Sequence, residues 1–127
     1  MVEQGEGART WIVPDNYLPT PPHDGQAYQS HEALCVLNTG MIDAELRIDF
    51  YFEDRPPLLD VPVQVVAQRT LHIRLDRPEQ LNGVELPRDV PFASRIRSNV
   101  PVVVQHSRLD TTQPNMTLMT TIAYPIV

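Results

Sequence analysis

A chain of 127 residues, 42% hydrophobic and 20% charged, is sized for one ordinary soluble domain with a single core. Its formal charge of −6 and pI of about 5.0 exclude any global attraction to phosphate backbones or anionic lipid, so nucleic acid is a disfavoured partner. No stretch approaches the roughly 20 apolar residues that cross a bilayer, and no basic-plus-apolar leader opens the chain, which predicts a cytoplasmic protein.

Thirteen prolines against five glycines predict many short elements and no long helix, because proline lacks a backbone donor and sits poorly inside helices and central strands. The Glu/Gly-rich residues 1–9 are expected to form a flexible N-terminus ahead of a domain over 10–127. Thr10 to Val13 reads as a first strand carrying the only tryptophan, Trp11. Pro14, Pro19, Pro21, Pro22 and Gly25 then mark a long irregular loop. His31 to Asn38 is a second, mostly buried strand closed by Asn38-Thr39-Gly40. Within it the lone Cys35 reads as a small buried hydrophobe.

Ala44 to Phe52 alternates most cleanly. Leu46, Ile48, Phe50 and Phe52 face one way and Glu45, Arg47, Asp49 and Tyr51 the other, the period of a half-buried strand. Residues 61–66 suggest a short edge strand. Arg69 to Leu75 alternates again, with Leu71, Ile73 and Leu75 inward. A Pro- and Asp-dotted connection fills 76–91. Phe92 to Arg97 fits either a strand or one helical turn. After a turn-like Ser98-Asn99, Val100 to Arg108 reads as a strand, its valine triplet (102–104) buried on both faces. Leu118 to Tyr124 completes the set. Seven or eight short strands make this an all-β chain, an antiparallel β-sandwich or small barrel.

Three kinds of chemistry are conceivable. His31, Glu32, His72 and His106 are metal-ligand types, but adjacent strand residues point to opposite faces and no H-x-H pair or HExxH helix is present. No metal or other cofactor is expected. Ser107, His106 and Asp110 contain hydrolase residue types at a spacing that diverges on a strand, so no enzyme is expected. A non-catalytic ligand site fits better: Trp11 as a flat wall, with Glu32, Asn38, Gln105, His106 and Arg108 as directed donors and acceptors. The alternative is that Trp11 is core and the polar groups are structural bonds. All ten basic residues are arginines, which suit bidentate anion clamps; Arg69 and Arg108 are the candidates, with Glu32 a salt-bridge partner for either. The polar face of Ala44–Phe52, where Tyr51 projects among charges, and the stretch 76–89 are candidate interaction surfaces.

The blocks SHEALCVLNTG (30–40), VVAQRTLHIRL (65–75), FASRIRSNVPVVVQHSRLDTTQ (92–113) and TTIAY (120–124) closely resemble the sensory rhodopsin transducer family. The resemblance runs from Trp11 onward and is weakest over 16–29 and 76–91. It implies a soluble β-sandwich that assembles as a homotetramer and acts as a non-enzymatic signalling module. It also implies a wider small-molecule-binding group with ties to carbohydrate metabolism. Residues Trp11, Ser30, His31, Glu32, Asn38, Arg69, Ser98, Asn99, Gln105, His106, Ser107 and Arg108 match the family's polar motifs and are expected to line its site. The expected function is a cytosolic signalling protein binding a small polar ligand, a sugar or metabolite. Alternatives are direct docking on a membrane photoreceptor or a transcription-linked DNA-binding role.

Overall fold

In the computed structural model, residues 5–20, 30–112 and 117–127 are described. Residues 21–29, with Pro21, Pro22 and Gly25 of the proline-marked loop, lie outside them, as do residues 1–4 of the N-terminal segment.

Among the described residues eight strands form: β1 (Ala8–Asn16), β2 (His31–Asn38), β3 (Ala44–Phe52), β4 (Leu58–Val65), β5 (Arg69–Arg74), β6 (Phe92–Asp110), β7 (Thr117–Ile122) and β8 (Tyr124–Ile126). A 3₁₀ turn at Pro78–Gln80 interrupts the connection before β6. All the strand pairings are antiparallel. The chain is therefore all-β, as its alternation and proline content indicate.

The organising element is β6, at 19 residues far longer than the short strands expected. Its first half pairs with β1 and β3, and its second half with β2 and β7. One layer thus runs β4-β3-β6-β1-β8 and the other β5-β2-β6-β7, both sharing β6. The expected turn at Ser98-Asn99 is instead the changeover between layers. The Ser98 hydroxyl accepts from the Val100 amide at 3.2 Å, and Asn99 Oδ1 accepts from the Glu45 amide at 2.7 Å. These bonds bend the backbone without ending the strand, and Pro101, which has no N–H to give, sits beside the switch.

Both layers feed one core. Leu34, Val36 and Ile73 from one half pack with Leu46, Ile48, Phe50 and Ile96 from the other, all at most 1% exposed. The valine triplet is one-sided: Val102 and Val104 are fully buried while Val103 is half-buried on the opposite face. Cys35 is half-buried on the outer face of β2, not in the core, with Sγ 4.0 Å from the Ser107 hydroxyl. β1 begins at Ala8, two residues before the expected start. At the C-terminal end all six residues of β7 are exposed. No helix among the described residues is long and apolar enough to cross a membrane.

Candidate functional site

At one end of the two layers, β1, β2 and β6 bring a polar network into the core. Register sets it: Glu32 of β2 stands directly opposite Arg108 of β6, with His106 two residues along the same strand and so on the same face. Glu32 is fully buried. Its Oε2 accepts from Arg108 Nε at 2.7 Å, and its Oε1 accepts from His106 Nε2 at 3.0 Å, Asn16 Nδ2 at 3.0 Å and the Tyr17 amide at 3.1 Å. A carboxylate only accepts, so His106 presents its proton on Nε2. Burial pushes the Glu32 carboxyl up, but the bonds from His106, Arg108 and Asn16 outweigh it and hold the group below its ordinary range.

The network reaches across the layers. Asn16 Oδ1 accepts from the Ser94 hydroxyl at 2.6 Å, while its amide nitrogen serves Glu32. Arg108 extends outward to the Asp15 carbonyl at 3.1 Å and its carboxylate at 3.5 Å. Beside it, Ser30 Oγ accepts from the Thr111 amide at 2.8 Å, closing the ladder beyond the start of β2.

Two clefts flank this network. The larger, about 320 Å³, lies between β1 and the β7–β8 segment. His106, Asp15 and Thr121 supply its polar groups, and Ile12, Met119, Ile122 and Tyr124 much of its apolar wall. The smaller, about 150 Å³, is lined by Tyr17, Pro19, Arg108 and Asp110 among others. The buried Glu32 carboxylate therefore links a residue of one cleft, His106, to a residue of the other, Arg108.

The remaining expected site residues are distributed elsewhere. Trp11 is 5% exposed in the core, its indole N–H given to the Val102 carbonyl at 2.9 Å and the Ala8 carbonyl at 3.0 Å. Its position among core residues follows from strand alternation with Val13, and it lines none of the described clefts. Tyr124, 67% exposed, is the aromatic ring at the larger cleft. Asn38 is buried at the far end of β2. There it donates to the Ile42 and Val65 carbonyls at 2.9 and 3.2 Å and accepts from the Gly40 amide at 3.0 Å, fastening the turn into β3. Arg69 pairs in register with Asn38 at that same far end and gives Nη1 to the Gln68 carbonyl. Ser98 and Asn99 hold the β6 changeover. Gln105 is exposed on the outer face and bonds the Thr120 hydroxyl. His31 is half-buried, opposite Leu109. Asn16, Ser94 and Asp15 belong to the network but not to the expected set. Among the described residues, no group of three or more His, Cys, Asp or Glu is placed to hold a metal ion.

The profile of the family described as Anabaena sensory rhodopsin transducer matches residues 6–125. The chain belongs to that family. A solved structure titled "Crystal Structure of Thermotoga maritima 1070" is 41% identical, with a TM-score of 0.83 over 95% of this chain and 97% of that one. The Anabaena sensory rhodopsin transducer itself is 39% identical, with a TM-score of 0.72 over 83% of this chain and 98% of that one. No curated protein matches. The transducer family carries signalling, and a chain so similar over nearly its whole length shares that class.

Proposed function

We propose that this member of the transducer family is a non-enzymatic, ligand-responsive signalling protein. The observation that carries the reading is the fully buried Glu32, which ties His106 at the larger cleft to Arg108 at the smaller one. A cleft of about 320 Å³, mostly apolar with a few fixed polar groups, suits a small metabolite with one polar end. A sugar ring would stack on Tyr124 and bond to Asp15 or Thr121. Binding signals by favouring one arrangement of β7–β8 and the Arg108–Asp15 contact over another, and it does so only through differential affinity.

The exposed apolar residues Leu118, Ile126 and Val127 at the C-terminal end, which lie outside the cleft, support assembly into a homotetramer. Light scattering after size exclusion is expected to give a tetramer for the wild type and a smaller species for Leu118→Asp.

Thermal-shift screening against sugars and metabolites tests ligand binding. At a hundredfold excess over Kd the expected stabilisation is about 2.7 kcal/mol, or about 8–10 °C for a chain of this size. Thr121→Trp, an exposed position, is expected to fill the cleft and abolish the response without lowering the melting temperature. A response that survives Thr121→Trp places the ligand elsewhere. The similarity to a protein named as a rhodopsin transducer supports a second reading, docking on a membrane photoreceptor. Titration of the receptor in lipid nanodiscs distinguishes the two.

A further inference from the structure

The solvent face of β3 and the first half of β6 carries a second ionic cluster, separate from the Glu32 network. Register sets Arg47 opposite Arg97 and Asp49 opposite Arg95. Directly opposed residues share a face about 4.5–5.5 Å apart at Cβ, where like charges repel. Asp49, outward by alternation, is nevertheless fully buried beneath the arginines. Its Oδ2 accepts from Arg95 Nε at 2.8 Å, and its Oδ1 accepts from Arg97 Nη2 at 3.1 Å and the Asp60 amide at 2.9 Å.

Asp60 stands where β4 breaks register between Ile48 and Phe50, with φ 63°. Positive φ is uncommon outside glycine, and a bulge re-aims the side chain it carries. Here the bulge lays the Asp60 carboxylate on Arg97 Nη2 at 2.5 Å, although its side chain is 63% exposed. Asp60 thus occupies the place an incoming carboxylate would take.

Two observations show that the cluster is not saturated. Arg47 is exposed and has no hydrogen-bond or ionic partner among the described residues. Arg97 Nε is buried with no acceptor. Glu45, on the same face of β3, is already bonded to Gln64 at 2.7 Å. The exposed Arg47 guanidinium, without a partner beside Arg97 among the described residues, is matched by an oxyanion set between the two.

The surroundings decide the class of ligand. Arg47 is exposed and the Arg95 and Arg97 side chains are 38% and 41% exposed, so the face is reachable from solvent and suits a macromolecule. Arg95 lies 5.7 Å from the centre of the Tyr51 ring, and across β1 it faces Ile12, which pairs with Tyr124. Arginine and tyrosine beside apolar side chains compose a protein interface. Asp49 and Asp60, set among the arginines, break any continuous cationic track for a phosphate backbone, whereas a peptide needs to place only one carboxylate at the Arg47–Arg97 pair. We propose that the β3–β6 face docks an acidic segment of a protein partner, whose carboxylate sits between Arg47 and Arg97 and displaces Asp60.

Fluorescence anisotropy on the full chain tests this, with a fluorescein-labelled peptide alternating glutamate with leucine and tyrosine. The same peptide with glutamine for glutamate and a short duplex DNA are the comparisons. Wild type is expected to bind the glutamate peptide preferentially, with affinity falling as NaCl rises from about 50 to 300 mM. Arg47→Gln is expected to weaken binding about fivefold at an unchanged melting temperature, and Asp60→Asn to tighten it about threefold. Equal binding of the glutamine peptide, full affinity in Arg47→Gln or weaker binding in Asp60→Asn overturns the proposal. Tighter binding of the duplex overturns it in favour of nucleic acid.

Discussion

Arg108→Met removes the guanidinium that grips Glu32 while keeping most of the side chain's length. Deleting one partner of a buried ion pair typically costs about 3–5 kcal/mol, because the other charge is left behind. Glu32 is fully buried, but the Arg108 side chain is 26% exposed, so water can enter the gap. His106, Asn16 and the Tyr17 amide also remain on the carboxylate. The expected cost is therefore about 2 kcal/mol, a fall of about 6–8 °C in melting temperature. The charge also dictates a pH dependence. Glu32 is held below its ordinary value of 4.5 in the folded state. A carboxyl depressed on folding stabilises above its unfolded value and loses that contribution as pH falls through the lower folded value. The stability gap between wild type and variant should therefore be full above about pH 5 and close as the solution is acidified further. Urea unfolding of both proteins from neutral to acid pH measures it. Adding Glu32→Gln should recover at least about 1 kcal/mol, since contacting groups couple. A variant as stable as wild type, a gap that does not change with pH, or strictly additive single substitutions would refute the ionic account of the network.

Three further outcomes are expected. Asn38→Ala strips partners from the Ile42 and Val65 carbonyls and the Gly40 amide and should cost about 2 kcal/mol in urea unfolding; a loss under about 0.5 kcal/mol would show that water replaces the amide. Gly7 has φ 110°, and a Cβ there would lie 2.0 Å from the Val102 carbonyl oxygen. Gly7→Ala should therefore cost about 1–3 kcal/mol and speed hydrogen exchange at the start of β1, and unchanged exchange would contradict the close approach. At Asp49 burial pushes the carboxyl up, but the Asp60 amide and the Arg95 and Arg97 guanidinium groups outweigh it and hold it below 3.8. Asp49→Asn should lose about 1 kcal/mol at neutral pH and none at a pH where the wild-type carboxyl is protonated, as urea titrations at the two pH values would show.

Where one periodicity governed a segment, the sequence was sufficient. His31–Asn38 and Ala44–Phe52 form strands with the limits expected, the first as a mostly buried run closed by Asn38-Thr39-Gly40 and the second from its alternation of a core face with a polar one. β6 was read as two pieces because Ser98-Asn99 has turn chemistry; only the partners on either side, Leu46 for Ser98 and Ala8 for Val102, keep the chain extended there. Asp49 gave no local sign of burial, since the two arginines that cover it lie on another strand. The sequence offered Glu32 to Arg69 or Arg108 alike, and register decides: Arg108 is its cross-strand neighbour, whereas Arg69 stands beside Asn38 at the opposite end of β2. Trp11 is the reverse case. An indole beside polar motifs suggested a ligand wall, but the carbonyls of Ala8 and Val102 already hold its N–H. Asn16 lay at the edge of a stretch read as loop, and its bonds to Glu32 and Ser94 span 16 and 78 residues, beyond any local pattern.

The shared strand also bears on how the chain comes off the ribosome. Early hairpin pairing is available to β3 with β4, but β1 waits for residues 92–102 and 124–126, and β2 joins β7 only through β6. The centre of both layers is thus among the last segments synthesised, leaving the apolar edges of β1 and β3 bare through most of translation. Non-local pairing of this kind slows folding and exposes edges to aggregation. Nascent chains truncated before residue 92 should accordingly be protease-sensitive, and protection should arrive abruptly once β6 clears the exit tunnel.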